Sequence, residues 1–430
     1  MFHVKHLIQR IKDLSIHELM FYVFAFSISL QLRTILNSDE AYIGYYFSYH
    51  KAIYFYVSDL LFIAFIVSWL FFDSSIKNTP KVLLLPILWP FLLLFHVEHV
   101  ELGFFAALKW LQFWLIIAYL YGNPKVIWST LYIIIGTGFF QSLIGIFQFH
   151  MQQSIGLRFL GEYVPALNQS GTATIQSEGQ LILRAYGTMP HPNVLAGFLA
   201  ICLGFLAFVS RETLFKHWFI VSCGTVLLLW GLILSFSRSA WIAAILLYIL
   251  HIGYHFYLKQ IKKAIFLAFL VIVSCGTLGF IYKSYVLPRA SEAPAESAAA
   301  NYRAEFNSLG FNNIKENPIF GVGPGQYISK LEDKVSMEPW KYQPPHSIFL
   351  LFTAEYGIIG LLLSIFAVIR LCFTWNKIHI LSLSLVILVL TLGFFDHYLI
   401  SIQQGLLLFA IIVGMLSINK IDVSQSVKHL

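Results

Sequence analysis

The residues Pro344–Ile369 read PPHSIFLLFTAEYGIIGLLLSIFAVI. From Ile348 onward the run is almost entirely apolar, and it has about the 20 residues that a helix needs to cross the hydrocarbon of a bilayer. His346 stands two residues before that run, at the end of about sixty mostly polar residues. The stretch therefore predicts a membrane helix that begins beside a histidine, at the place where water and bilayer meet.

The composition of the whole chain agrees with this interpretation. It is 58% hydrophobic and 11% charged, whereas soluble domains carry about 25% charged residues. The ~10-residue alternating segments that are typical of a membrane barrel do not appear. We therefore predict an all-α polytopic membrane protein in which residues 1–430 form a single membrane domain with about 12 transmembrane helices. The predicted spans cover roughly residues 18–36, 53–72, 82–98, 101–121, 126–150, 191–209, 217–236, 238–257, 264–282, 347–369, 379–397 and 400–418.

The positions of lysine and arginine predict the orientation. If the N-terminus is inside, more than half of the 28 basic residues lie in inside segments, as expected of cytoplasmic loops. Both termini are then cytoplasmic. Two longer segments lie outside: a smaller one at 151–190, and a large loop at 283–346 between spans 9 and 10. The net charge of +7 follows from this asymmetry, so we expect membrane lipids and no nucleic acid as partners.

The large loop contains local structure of its own. Glu296–Lys315 is predicted to be a helix, with Tyr302, Phe306 and Leu309 on one face at i, i+4 and i+7. Gly321–Gly325 is predicted to be a compact turn. It lacks the GK[ST] ending of a nucleotide-binding P-loop. The four cysteines form no CxxC pair, so neither a disulfide framework nor a zinc site is indicated.

His346 is the first candidate for chemistry. The partial positive charge at a helix N-terminus disfavours imidazolium, and a neutral ring can accept a proton near pH 7. The alternative is that His346 only caps the helix at the membrane interface.

Three arginines are candidates for binding an anion. Arg238 lies in a turn between strongly apolar segments, where a guanidinium is costly without a partner. A diphosphate would suit it, because guanidinium binds phosphate oxygens bidentately; the alternative is an arginine that snorkels to anchor the hairpin. Arg303 lies on the predicted loop helix, where it could instead pair with Glu305 or Glu296. Arg184, near the start of span six, is a third external cation.

Ionisable residues inside the predicted spans are candidates by default. We predict that Asp59 and Lys109 pair and join spans two and four. Glu355 follows His346 by nine residues and points to the opposite side of that helix, so we expect a structural role for it. The pair Asp396-His397, at the outer end of span eleven, is a possible part of a site wall. His96 and His99 share a turn with two glutamates, which is only a modest signal for a metal.

Four motifs together resemble the O-antigen ligase/polymerase family of bacterial membrane glycosyltransferases. The similarity covers roughly residues 180 to 415. Ser347 departs from the asparagine that the family often has after the histidine. The motifs are RAYGTMPHPNVLAGFL at Arg184–Leu199, LSFSRSAW at Leu234–Trp241, NPIFGVGPGQY at Asn317–Tyr327 and PHSIFLLFTAEYGIIG at Pro345–Gly360.

The resemblance implies a concrete reaction. A glycan linked to undecaprenyl diphosphate is transferred to an acceptor hydroxyl on the outer, periplasmic face of the bacterial inner membrane, without a nucleotide, metal or other cofactor. By this resemblance His346 would be the base, and Arg238 and Arg303 would bind the diphosphate. Arg184 is a further candidate for substrate binding.

Several activities remain open within and beyond this family. A ligase joins the glycan to a lipid-anchored acceptor such as the lipid A core, a polymerase joins repeat units, and a third relative glycosylates protein. We favour the ligase, because a single external loop, the one before span ten, is the dominant external segment of the chain. A secondary transporter is the alternative class. Its halves would be expected to repeat, but the two halves of this chain are unlike.

Overall fold

The computed structural model describes residues 14–163, 166–167, 169, 171–210, 214–291, 298–372 and 380–417. Within them the protein is built from helices, with three short two-stranded antiparallel sheets. The helices are α1 (Ile16–Ser27), α2 (Val57–Phe72), α3 (Leu84–Leu92), α4 (Val100–Gly122), α5 (Ile127–Met151), α6 (Pro192–Ser210), α7 (Trp218–Leu234), α8 (Arg238–Tyr257), α9 (Ile261–Ile281), α10 (Lys283–Ser291), α11 (Ala298–Glu316), α12 (Tyr327–Lys334), α13 (Ile348–Cys372), α14 (Ile380–Phe395), α15 (Tyr398–Ser401) and α16 (Gln403–Leu416). The strands are β1 (Arg33–Ile35), β2 (Tyr42–Ile43), β3 (Tyr46–Phe47), β4 (Tyr54–Tyr56), β5 (Thr174–Ser177) and β6 (Gln180–Leu183).

The apolar helices make this a multi-pass membrane protein. Among the described residues, six helices are long and apolar enough to cross a bilayer, and six apolar helices are shorter. Every predicted span overlaps one of these twelve helices, while the exact span count and the orientation stay predictions. The two predicted cytoplasmic termini, 1–13 and 418–430, lie outside the described residues. The longer helices are Val100–Gly122, Pro124–Met151, Pro192–Ser210, Arg238–Tyr257, Ile261–Ile281 and Ile348–Leu371.

Burial differs sharply between these helices. α6 is buried along its whole length, so it lies at the centre of the bundle. α9 is only 22% buried and turns side chains such as Phe269 and Ile272 outward, where they are 65% and 70% exposed. An apolar surface of this kind is expected of a helix whose outer face meets lipid.

The first predicted span ends earlier than expected. α1 stops at Ser27, whereas the prediction placed the end of the span at residue 36. The chain then forms the hairpin β2–β3, and β1 and β4, which flank this hairpin in sequence, pair with each other. Arg33 ties this region together, because its guanidinium lies 3.9 Å from the centre of the Tyr54 ring and donates to the hydroxyls of Tyr49 and Tyr56.

The third predicted span is an interrupted helix. A 3-10 turn at Lys81–Leu83 leads into α3, and a second 3-10 turn, Leu93–His96, follows it. Pro90 inside α3 cannot donate a backbone hydrogen bond, which favours this break. The smaller predicted external segment, 151–190, contains the hairpin β5–β6, which the sequence did not predict.

The large loop, 283–346, has the predicted helix and turn. The described part of the helix, α11, starts at Ala298, and the predicted start at Glu296 lies outside the described residues. Tyr302 and Phe306 stack on one face of α11, as predicted.

The compact glycine turn, Gly321–Gly325, packs against α13. Val322 and Gly323 donate their backbone N–H groups to the carbonyls of Ala354 and Glu355. This contact is possible because α13 is kinked at Gly357, where φ is +67° and the helix is interrupted. A β-carbon at Gly357 would overlap the carbonyl of Ile319, so only glycine fits there.

Candidate functional site

His346 lies just before α13, at the mouth of the large loop. The helix begins two residues later, at Ile348, so the histidine precedes the first helical turn rather than belonging to it. Its side chain is 23% exposed. Its ring packs against Phe306 of α11 at a centroid distance of 6.1 Å. The entry to α13 and the loop helix therefore fix this imidazole from two sides.

A buried carboxylate faces the His346 ring. Asp396 lies between α14 and α15, and its Oδ1 is 3.8 Å from His346 Nδ1, which is ion-pair range but too long for a hydrogen bond. The other oxygen, Oδ2, accepts a hydrogen bond of 2.9 Å from the Asn193 amide. Burial alone would raise the pKa of Asp396, but His346, His397 and Asn193 outweigh it and hold that pKa well below its usual range. An ionised Asp396 can stabilise a protonated His346, whose Nδ1 has no hydrogen-bond partner among the described residues.

Two further histidines, His397 and His50, form a row of neighbouring rings with His346. The His397 ring lies 5.4 Å from the His346 ring and 5.4 Å from the His50 ring, centroid to centroid. Burial lowers the pKa of His397 to about 4 and that of His50 to about 3. Both rings are therefore neutral near pH 7. The structure brings Asp396-His397 next to His346, as the sequence suggested, whereas nothing in the sequence pointed to His50.

Arg184 connects this cluster to the hairpin before α8. It is only 6% exposed, and it donates to the Ser235 carbonyl at 2.6 Å and to the Asn193 side-chain oxygen at 2.8 Å. Asn193 in turn donates to Asp396, so one hydrogen-bonded chain runs from the arginine to the carboxylate beside His346. Burial, then the positive charge of Arg289, lowers the pKa of Arg184 to about 9, and it stays protonated at neutral pH.

Further arginines lie near the same hairpin. Arg289 donates to the Phe236 carbonyl at 3.3 Å. Arg303, on α11, lies close enough for its charge to act on Arg184, His191 and His397. Arg238 is the half-buried first residue of α8, two residues beyond Phe236.

Of the three arginines that the sequence suggested, Arg184 and Arg303 lie close enough for their charges to interact, and Arg184 links them to the histidine cluster. Arg238 follows Ser235, the residue that accepts from Arg184, by three positions. Arg289 is an addition that no sequence motif indicated. Such a concentration of guanidinium groups suits a polyanion.

One group of side chains could also hold a metal ion. The ligating atoms of His346, Asp396 and His397 lie within 4.8 Å of one another. A cation bound there would engage the same imidazole that the resemblance assigns as the base. The weaker metal candidates, His96 and His99, instead support the glycine turn, since His96 Nε2 lies 3.3 Å from the Gly321 carbonyl oxygen and the His99 N–H donates to Gln326.

The ionisable groups inside the helices are partnered. Lys109 lies 2.6 Å from both carboxylate oxygens of Asp59, which confirms the predicted pair. Gln403 of α16 also donates to Asp59. The Glu355 carboxylate accepts backbone N–H groups of the glycine turn and of the start of α12, in line with the structural role expected for it.

Comparison with known proteins gives a family match for part of the chain. A family model described as O-antigen ligase matches residues 223–365, about a third of the chain. This segment is similar to O-antigen ligases, and the similarity supports an O-antigen ligase-like function. The matched segment contains Arg238, Arg303 and His346, while Arg184 and Asp396 come from outside it. No curated protein matches the chain.

Proposed function

We propose that this protein transfers a glycan from undecaprenyl diphosphate to an acceptor hydroxyl at the outer face of the bacterial inner membrane. The observation that carries the proposal is the His346 imidazole, whose Nδ1 has no partner in the described structure and lies 3.8 Å from the buried Asp396 carboxylate. A histidine base needs a nearby group that stabilises the ring once it is protonated, and Asp396 is placed to do so. The segment that contains His346 is similar to O-antigen ligases, which supports this role.

In the proposed reaction, His346 takes the proton of the acceptor hydroxyl. The hydroxyl oxygen forms a bond to the anomeric carbon of the donor. The bond between that carbon and the diphosphate oxygen breaks, and its electron pair stays on the diphosphate. The negative charge of Asp396 stabilises the imidazolium that forms, in the same way that a buried aspartate assists histidine bases in hydrolases.

The departing diphosphate needs positive charge. We assign this role to Arg238 and Arg303. Arg184, which is buried and hydrogen-bonded to Asn193, adds a third positive charge to the site. Arginine can stabilise developing charge on phosphate oxygens without a metal ion. The proposal therefore requires neither a metal nor a nucleotide.

For the acceptor, we propose a lipid-anchored core glycan, which makes the enzyme a ligase. Glycan analysis of a strain that lacks the gene tests this choice. Long unattached lipid-linked chains are expected from loss of a ligase. Single repeat units would instead indicate a polymerase, and loss of glycan from proteins would indicate a protein transferase.

Complementation of that strain tests the assigned residues. His346→Ala and Arg303→Ala are expected to reach normal membrane levels and to abolish transfer. Lys315→Ala is a matched control, because it removes an exposed cation from the same helix as Arg303. Full transfer by either of the first two variants would refute the role given to that residue.

A further inference from the structure

A fourth histidine, His191, lies within reach of both parts of the site. The charges of Arg184 and Arg303 act on its ring, and those of Asp396 and His346 reach it as well. The ring is partly exposed, although α6, which begins at the next residue, is buried along its whole length. A side chain in this position can contact a substrate that extends from the arginines to His346.

The contacts of the His191 ring fix the position of its proton. Nδ1 accepts the backbone N–H of Asn193 at 3.1 Å, so Nδ1 itself carries no proton. In a neutral imidazole the proton then lies on Nε2, which is a donor. Burial, then the charge of Arg184, lowers the pKa of His191 to about 3, so the ring is neutral at pH 7. His191 therefore presents an N–H group and not a positive charge.

The Nε2–H group of His191 is available to a substrate. No described residue accepts a hydrogen bond from it, and water can reach it because the ring is partly exposed. The side chain of Asn193, by contrast, is occupied on both sides, since it accepts from Arg184 and donates to Asp396. Among these neighbours, His191 is the one that can offer a hydrogen bond without breaking an existing one.

The surrounding charges indicate which substrate atom this donor meets. In the proposed reaction the arginines hold the diphosphate, and His346 meets the acceptor hydroxyl. The oxygen that joins the anomeric carbon to the diphosphate lies between these two places, and it gains negative charge as its bond to carbon breaks. A preorganised N–H group stabilises such charge. A neutral imidazole at a helix N-terminus, where the helix dipole disfavours imidazolium, acts in this way in an isomerase.

We propose that His191 is a further catalytic residue, whose Nε2–H donates to the diphosphate oxygen that leaves the anomeric carbon. This inference rests on the proposed function and adds a residue to it. No proton moves at His191: the bond between carbon and oxygen breaks, its electron pair stays on the diphosphate, and the imidazole keeps its proton. The proton of the acceptor hydroxyl goes to His346. The arginines balance the charge of the whole diphosphate, whereas His191 stabilises the one oxygen on which charge develops.

A simpler role for His191 would be to cap α6. Its carbonyl accepts the N–H groups of Val194 and Leu195, and its Nδ1 accepts that of Asn193, as in a helix N-cap. Two substitutions separate the roles. In His191→Asn the side-chain oxygen takes the place of Nδ1, and asparagine is a favoured N-cap residue, but nothing replaces Nε2. In His191→Gln the longer side chain brings an amide N–H to the place of Nε2, and the cap is lost.

Transfer by the full-length protein in proteoliposomes, with thermal unfolding of the same samples, distinguishes these roles. His191→Asn is expected to unfold at about the same temperature as wild type and to lower kcat by about 100-fold, the usual effect of losing one donor to a developing charge. His191→Gln is expected to keep kcat within about tenfold of wild type in spite of a lower unfolding midpoint. His217→Asn is the matched control and should leave kcat unchanged, because His217 precedes α7 at the end opposite to Ser235.

Binding of inorganic diphosphate, measured by titration calorimetry, adds a readout that does not require transfer. Its Kd is expected to rise about tenfold in His191→Asn and to stay near the wild-type value in His191→Gln, because the donor is lost only in the first. A kcat within about threefold of wild type in His191→Asn, or an unchanged Kd for diphosphate, would overturn the inference, since the histidine would then only cap α6. Both results leave transfer by the wild type intact. Failure of the proposed function would instead appear as no transfer by the wild type.

Discussion

The charge on Asp396 should decide how readily His346 carries a proton during transfer. The substitution Asp396→Asn removes that charge and keeps a side-chain oxygen for the 2.9 Å hydrogen bond from Asn193. At 3.8 Å and an effective dielectric constant of about 20, the attraction between the carboxylate and an imidazolium is about 4 kcal/mol. Water reaches the His346 ring, which is 23% exposed, and screens part of this attraction. We therefore expect kcat to fall by roughly 100- to 1,000-fold.

Transfer rates of purified protein in proteoliposomes measure this effect, and thermal unfolding of the same sample separates it from misfolding. A folding defect would lower the unfolding midpoint and the amount of folded protein, whereas loss of the charge lowers the rate per folded molecule. Asp333→Asn, which removes an exposed carboxylate from α12, serves as the control. A kcat within about threefold of wild type in Asp396→Asn would refute the reasoning, because it implies less than 1 kcal/mol of coupling.

Three further predictions follow from other parts of the structure. Dialysis against a chelator is expected to leave transfer unchanged; loss of activity that a divalent cation restores would instead assign His346, Asp396 and His397 as metal ligands. Gly357→Ala is expected to lower stability by about 2 kcal/mol or more, because φ is +67° and a β-carbon meets the Ile319 carbonyl. Thermal unfolding measures this, with Gly276→Ala on α9 as a control that meets no neighbouring atom; equal midpoints would contradict it. Acidification from pH 7 to 5 should also lower the unfolding midpoint. The pKa of His397 is about 4 in the folded protein and about 6.5 when unfolded, so the unfolded chain binds the extra proton and gains roughly 2 kcal/mol by pH 5. A midpoint that does not change between the two pH values, or that changes equally in His397→Gln, would count against this assignment.

Local sequence patterns predicted much of the fold. Runs of apolar residues predicted the twelve helical segments because hydropathy depends only on neighbours in sequence. The stripe of α11 and the glycine turn were also predicted, since both follow from short-range periodicity and backbone preference. The pair Asp59–Lys109 was predictable because a charge inside a membrane helix needs a partner and few are available.

Contacts between distant segments were not predictable in this way. Asp396 lies fifty positions from His346 in sequence, and the packing of α14 against the bundle brings the two together. The chain from Arg184 through Asn193 to Asp396 also joins segments that share no local pattern. The sequence placed β1 at the end of the first predicted span and residues 37–52, including His50, between two spans. It did not predict the strand pairs there, which bring His50 to the cluster, because strand pairing depends on distant residues.

The kink in α13 also constrains how the enzyme moves. Backbone hydrogen bonds from the loop reach α13 on both sides of Gly357: Val322 donates to Ala354, and Ile358 donates to Pro318. The segment between α11 and α12 is therefore hydrogen-bonded to the backbone of α13 near the middle of that helix. Swinging the loop open would therefore require unwinding the kink itself. Since Phe306 of α11 also packs on His346, we expect His346 and Arg303 to keep their relative positions when the loop moves.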